Sequence, residues 1–168
     1  TFHRGSTDYF VTDRKIDIAE MTWPSAAALA HIHATVLEHG FGCTVEIVTG
    51  DTVPTASSML SRGTPAVAPE LWTSTIEDAW AAGIEDGSVV QFADAITDGT
   101  VEGWFIPDYA AEAYPEIVAI EGLAARVGEL SDGGRLPRFI SCPPDWGCNL
   151  INRNMLRAHG LERAFEIV

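Results

Sequence analysis

Short stretches with strand-like alternation take turns along this chain with stretches of helical spacing, and that rhythm restricts the fold more than any other feature. Lys15-Ile16-Asp17-Ile18-Ala19 alternates as a strand does. Trp23-Pro24-Ser25 then opens a helix, with Pro24 suited to its first turn and Gly40 to its end. Ala26, Leu29, Ala30, His33, Val36 and Leu37 are the expected apolar stripe of that helix. Cys43 to Val48 reads as a second strand, Val53 to Arg62 as a short helix, and Ala66-Val67-Ala68 as a strand end. A helix is expected from Thr73 to Ala81, with strands at Val89 to Ile96 and Val101 to Ile106. Beyond Pro107 come a helix-rich stretch from Ala110 to Leu130 and a strand at Arg138-Phe139-Ile140. A helix from Asn149 to His159 and a strand starting at Phe165 finish the chain. This alternation implies an α/β fold with a mostly parallel sheet, where ligands sit at the carboxyl ends of strands.

The boundaries expected are a polar leader over residues 1–13, a first α/β lobe over 14–106, and a second lobe over 107–168. With 46% hydrophobic and 20% charged residues, such lobes have the material for a core. The formal net charge is −14, from 24 acidic and 10 basic side chains. That balance speaks against a nucleic-acid partner, which needs clustered Lys and Arg, and against docking on an anionic membrane surface. It suits neutral or cationic small molecules.

Trp23, Trp72 and Trp146 each fall just after an expected strand, at the start of a helix. Such turns face the ligand cleft of an α/β sheet. Trp80, with Ile76 and Ile84 at helical spacing, reads as core instead. Indole faces attract a desolvated quaternary ammonium group by roughly 2 kcal/mol or more. Glu70, two residues before Trp72, and Asp145, beside Trp146, are candidates to face a cationic head.

Cys142-Pro143-Pro144-Asp145-Trp146-Gly147-Cys148 is a stiff loop with Trp146 near its tip. If Cys142 and Cys148 are oxidised, closing so short a loop adds roughly 2 kcal/mol of stability. The pairing would also point to an oxidising compartment. Gly147 and Cys148 precede the expected helix, where backbone N–H groups and the helix dipole favour an anion. Asn149 would alternatively serve as the cap of that helix. Cys43, in an apolar run, reads as a small buried residue. His31, His33 and His39 lack the helical spacing of a metal site, and no cofactor motif is visible.

Three passages resemble the substrate-binding proteins of glycine betaine/choline-type ABC importers. They are Pro69-Glu70-Leu71-Trp72, Glu102-Gly103-Trp104-Phe105-Ile106-Pro107-Asp108-Tyr109, and the cysteine loop through Asn149. The resemblance implies a type II periplasmic-binding-protein fold with two lobes, a Cys142–Cys148 disulfide, and no enzymatic activity. It implies a methylated-ammonium ligand such as glycine betaine, choline, carnitine or trimethylamine N-oxide. A membrane permease as partner and a periplasmic or other extracytoplasmic location follow from the same likeness. The family's aromatic cage maps onto Trp72 and Trp146, and Trp23 and Trp104 match positions that supply aromatic groups in some members. Amides at Gly147 and Cys148 correspond to those that bind a betaine carboxylate.

Asp145 departs from the pattern, since betaine binders usually carry Gly there. A carboxylate beside the anion pocket repels a betaine tail and favours the other three ligands. The resemblance also implies a later tryptophan-bearing segment, so the second lobe is expected to be incomplete and its sheet edge open to self-association. Two rival readings remain at this stage. One is an enzyme acting on a small amine, with Glu70 or Asp145 as general base. The other is a ligand-sensing fragment without a transport role.

Overall fold

A computed structural model of the chain describes residues 15–131 and 133–168. The polar leader expected over residues 1–13 lies outside the described residues. The chain forms two compact units, one ending at Ala95 and one beginning at Ile96. It passes from one to the other earlier than the junction expected after Ile106. Strand pairing is parallel in both units, and the class is α/β, although the sheets are small.

In the first unit, β1 (Ile16–Met21) pairs in parallel with β2 (Val45–Gly50), from Ile16 opposite Val45 to Met21 opposite Gly50. On the other side of β1, Ile18 forms a parallel bridge with Val67. The Ala19 N–H donates to the Val67 carbonyl at 2.8 Å, and the Val67 N–H to Asp17 at 3.1 Å. β1 is therefore the central strand, with a parallel neighbour on each side. All three segments end at one edge of the sheet.

Helix α1 (Pro24–Thr35) buries Ala26, Ala30 and Ala34, a row of small side chains at four-residue spacing. Small residues let the helix axis come close to β1, and Ile18 packs directly on Ala30 and Ala34. The expected stripe is rotated accordingly: His33 and Val36 face solvent, and Leu29 and Leu37 are half-buried. A single π turn, Val36–Gly40, ends this helix. Cys43 is half-buried and reduced rather than fully enclosed, because it lies just ahead of β2.

Helix α2 (Thr52–Arg62) starts under the Asp51 carboxylate, which accepts from the Thr52 N–H, and stops at Gly63 with φ +67°. Helix α3 (Glu77–Asp86) starts later than the expected Thr73. Thr73 to Ile76 is spent on a turn, closed by the Ile76 N–H on the Thr73 carbonyl, and Glu77 and Asp78 then occupy the first helical turn. Ser88 hydrogen bonds, first through its side chain and then its backbone, hold the Asp86 carboxyl below the usual carboxylate range at the end of α3. Trp80 is buried with Ala56 and Val89.

Gly50, at the end of β2, is where the sheet edge is tightest. A Cβ there would lie 2.7 Å from Thr55 Oγ1 and 3.2 Å from both Ala19 Cβ and Met21 Sδ. Those neighbours are buried and cannot move away. Gly50→Ala is expected to cost about 1–3 kcal/mol, measured as a lowered urea midpoint. An unchanged midpoint would contradict this packing.

Residues 89–96 and 101–106, expected as strands, are irregular, and Val90, Phe92, Val101 and Phe105 are exposed. Their alternation finds no paired neighbour among the described residues, and strand propensity is expressed only through such pairing. The helix-rich stretch expected from Ala110 to Leu130 is made of short pieces. It comprises α4 (Asp108–Ala113), a 3-10 turn at Pro115–Val118, and α5 (Ile120–Arg126). Pro115 lacks an N–H and pushes Tyr114 to φ −138°, ψ 72°, outside the helical region.

The second unit gathers around Leu156, Leu161 and Phe165, with Trp104, Leu123, Phe139 and Ile167 packed against them. β3 (Arg138–Phe139) and β4 (Glu166–Ile167) pair in parallel, and α6 (Gly147–Ala158) supplies Leu156. Among the described residues, no helix is long and apolar enough to cross a membrane.

Candidate ligand-binding site

The carboxyl edge of the first sheet carries one unusual arrangement. Trp23 follows β1 and holds the N-cap position of α1. Trp72 follows the Val67 segment on the neighbouring track. Between them lies Glu70, only 5% exposed. Its Oε1 accepts from the Trp23 indole N–H at 2.7 Å, the Trp72 indole N–H at 2.8 Å and the Ser25 hydroxyl at 3.2 Å. Three donors meet at one oxygen.

A buried carboxylate is costly unless donors surround it, and here they do. The indole N–H lies in the ring plane, so these bonds engage the edges of both rings and leave the π faces uncommitted by this contact. Trp23 also packs against Ala19, Met21 and Ala26, which roots the cluster in the sheet. Asp51, at the end of β2, accepts from Thr22 Oγ1 at 3.5 Å and adds a second carboxylate to the same edge.

The second unit holds the cysteine loop. Cys142 and Cys148 are joined by a disulfide, with Cα atoms 6.0 Å apart. The Trp146 N–H closes a turn onto the Pro143 carbonyl at 3.1 Å. Gly147 and Cys148 are the first two residues of α6, where backbone N–H groups have no acceptor within the helix. Trp146 is half-buried and Asp145 exposed. The Asp145 carboxylate therefore stands near the positive end of the α6 dipole without being enclosed.

Asn149 does not cap α6, because the helix begins two residues ahead of it. It is buried in the first turn and braces the loop from beneath, its amide donating to the Pro144 carbonyl at 3.1 Å. A relay of side chains continues from there. Trp104 Nε1 donates to Asn152 Oδ1 at 2.7 Å, and Asn152 Nδ2 to Ser141 Oγ at 3.1 Å. Ser141 Oγ donates in turn to Asn149 Oδ1 at 3.3 Å. The Trp104 ring packs edge-on against Phe139, with centroids 4.9 Å apart. Trp104 thus serves the core and the relay that supports the loop.

The structure therefore brings Trp23, Glu70 and Trp72 together in the first unit. In the second it brings Trp146, Asp145, Gly147 and Cys148 together on one loop, with Trp104 behind it. Ser25 and Asn152 are supporting residues that the sequence does not assign to these clusters, and Asn149, expected as a helix cap, braces the loop instead. Ser25 lies 45 residues from Glu70, and no short-range pattern signals such a contact.

Removing the disulfide with Cys142→Ser and Cys148→Ser is expected to lower stability by roughly 2 kcal/mol. The loss should show as a lower thermal midpoint, and a midpoint matching that of the oxidised parent would refute it. The braces from Asn149 remain in that variant, so the loop is expected to loosen without unfolding the unit.

Residues 14–168 match the family model described as the substrate binding domain of ABC-type glycine betaine transport systems. No curated protein matches the chain.

Proposed function

Because the chain belongs to the family of substrate binding domains of ABC-type glycine betaine transport systems, we propose that it captures a methylated-ammonium osmolyte for delivery to its permease. The observation that carries this reading is the pair of indoles anchored by their N–H edges to Glu70 at the carboxyl edge of the sheet. Anchoring by the N–H edge places that bond in the ring plane and off the π face, and for a head group that has no hydrogen to donate, cation–π attraction is the main means of holding it.

Glycine betaine, choline, carnitine and trimethylamine N-oxide all carry such a head. The second unit, taken by itself, carries the Trp146 indole beside the amides of Gly147 and Cys148 at the start of α6, which suit an anionic or hydroxyl group. Asp145 beside them disfavours a carboxylate tail, which places choline and trimethylamine N-oxide ahead of both glycine betaine and carnitine, since carnitine carries a carboxylate as well. Capture needs no bond chemistry, and the fold proposed is that of the type II periplasmic binding proteins. The disulfide fits an extracytoplasmic setting.

Isothermal titration against the four compounds tests the proposal. Saturable binding of at least one, with a negative heat-capacity change, is the expected result. Lack of binding to all four would overturn it.

A further inference from the structure

We propose that Glu70 is the positioning residue that sets Trp23 and Trp72 as a unit and makes them prefer a cation over an uncharged group of the same shape. This rests on the reading of the indole pair as a head-group site. A neutral aromatic pocket takes a tert-butyl group by hydrophobic burial almost as readily as a trimethylammonium group. Cation–π attraction favours the ammonium, yet only when the rings present their faces rather than their edges.

Glu70 acts on both terms. The Trp23 and Trp72 N–H groups converge on the same Oε1, so neither ring rotates about its side-chain bonds without breaking a charge-assisted hydrogen bond. Ser25 contributes a third donor that fixes the carboxylate against α1. Glu70 also places a negative charge at the edge of both rings, and it is 5% exposed, so water screens that charge poorly. The positive edges of the two indoles face the carboxylate, which polarises the ring faces toward a cation.

The prediction separates geometry from charge. Glu70→Gln keeps an acceptor oxygen for both indoles and removes the charge. Glu70→Ala removes both. The indole proton resonances of Trp23 and Trp72, assigned with Trp23→Phe and Trp72→Phe, report ring anchoring without any ligand. In Glu70→Ala both resonances are expected to leave their hydrogen-bonded positions together, and in Glu70→Gln both are expected to stay close to them. Should Glu70→Ala fail to fold, Glu70→Asp withdraws the acceptor by one methylene and reads the same effect.

Charge selectivity is measured with choline and 3,3-dimethylbutan-1-ol, in which carbon replaces the ammonium nitrogen. The ratio of their affinities is expected to fall at least about tenfold in Glu70→Gln, through loss of a poorly screened charge. If either indole resonance ignores the loss of the carboxylate, the shared anchor is wrong. If Glu70→Gln keeps both resonances and also keeps the ratio, the rings alone read the charge and the proposal falls. If the parent protein binds neither probe nor any of the four osmolytes, the site reading fails with the selectivity. The resonances still decide whether Glu70 sets the two rings.

Discussion

Replacing Trp72 with alanine will weaken capture of the preferred osmolyte by roughly thirtyfold or more, the equivalent of about 2 kcal/mol of lost cation–π attraction. Trp72 is the better test of the two indoles that Glu70 holds. Trp23 is bedded against Ala19, Met21 and Ala26, so its removal would mix binding with stability. Among the described residues, the buried clusters do not take in Trp72. Trp72→Phe retains a π face and loses the N–H that Glu70 holds. The expected order of affinity is therefore parent, then Trp72→Phe, then Trp72→Ala. Calorimetric titration supplies the ranking, and equal affinities for parent and alanine variant would remove Trp72 from the site.

The second large effect concerns stability. Leu156 on α6 is fully buried, and it centres the cluster that includes Leu161, Phe165, Trp104 and Phe139. Leu156→Ala removes three carbons from the middle of that cluster and is expected to cost about 2–5 kcal/mol, depending on how far the rings collapse into the space. The thermal midpoint should drop by roughly 5–15 °C in a chain of this size. Leu156→Met, close in volume, should cost less than about 1.5 kcal/mol. Similar midpoints for the two variants would mean that this cluster is loosely packed.

Local signals carried much of this fold and left specific gaps. Pro24 at a helix start, Gly40 at its end and the alternation of residues 15–19 are read from neighbours a few positions apart. The corresponding elements form where those signals lie. Residues 89–106 show why alternation alone misleads: Phe92 and Phe105 have the residue type of a strand but no paired neighbour among the described residues. Within the helix-rich stretch, the break at Tyr114 is one that Pro115 signals, because proline keeps the residue before it out of the helical region. For the candidate site, the positions of Trp23 and Trp72 after strand ends were readable. The meeting of both indoles at one oxygen of Glu70 was not, since Trp23 lies 47 residues from it and the contact depends on two parallel tracks ending side by side.

The central place of β1 has a consequence for how the first unit opens. Its backbone is tied to β2 along its whole length, and to Val67 through the Ala19 and Asp17 peptide groups. Local fraying of either neighbour leaves β1 bonded on the other side. The β1 amides that face β2 should therefore exchange with deuterium only when that full-length pairing opens, whereas the Ala19 amide, held by Val67, exchanges when that bridge frays. A ligand held at the carboxyl edge binds only the closed form and slows that opening by mass action. Deuterium uptake at Ile18 would thus record occupancy of a site that this residue need not touch.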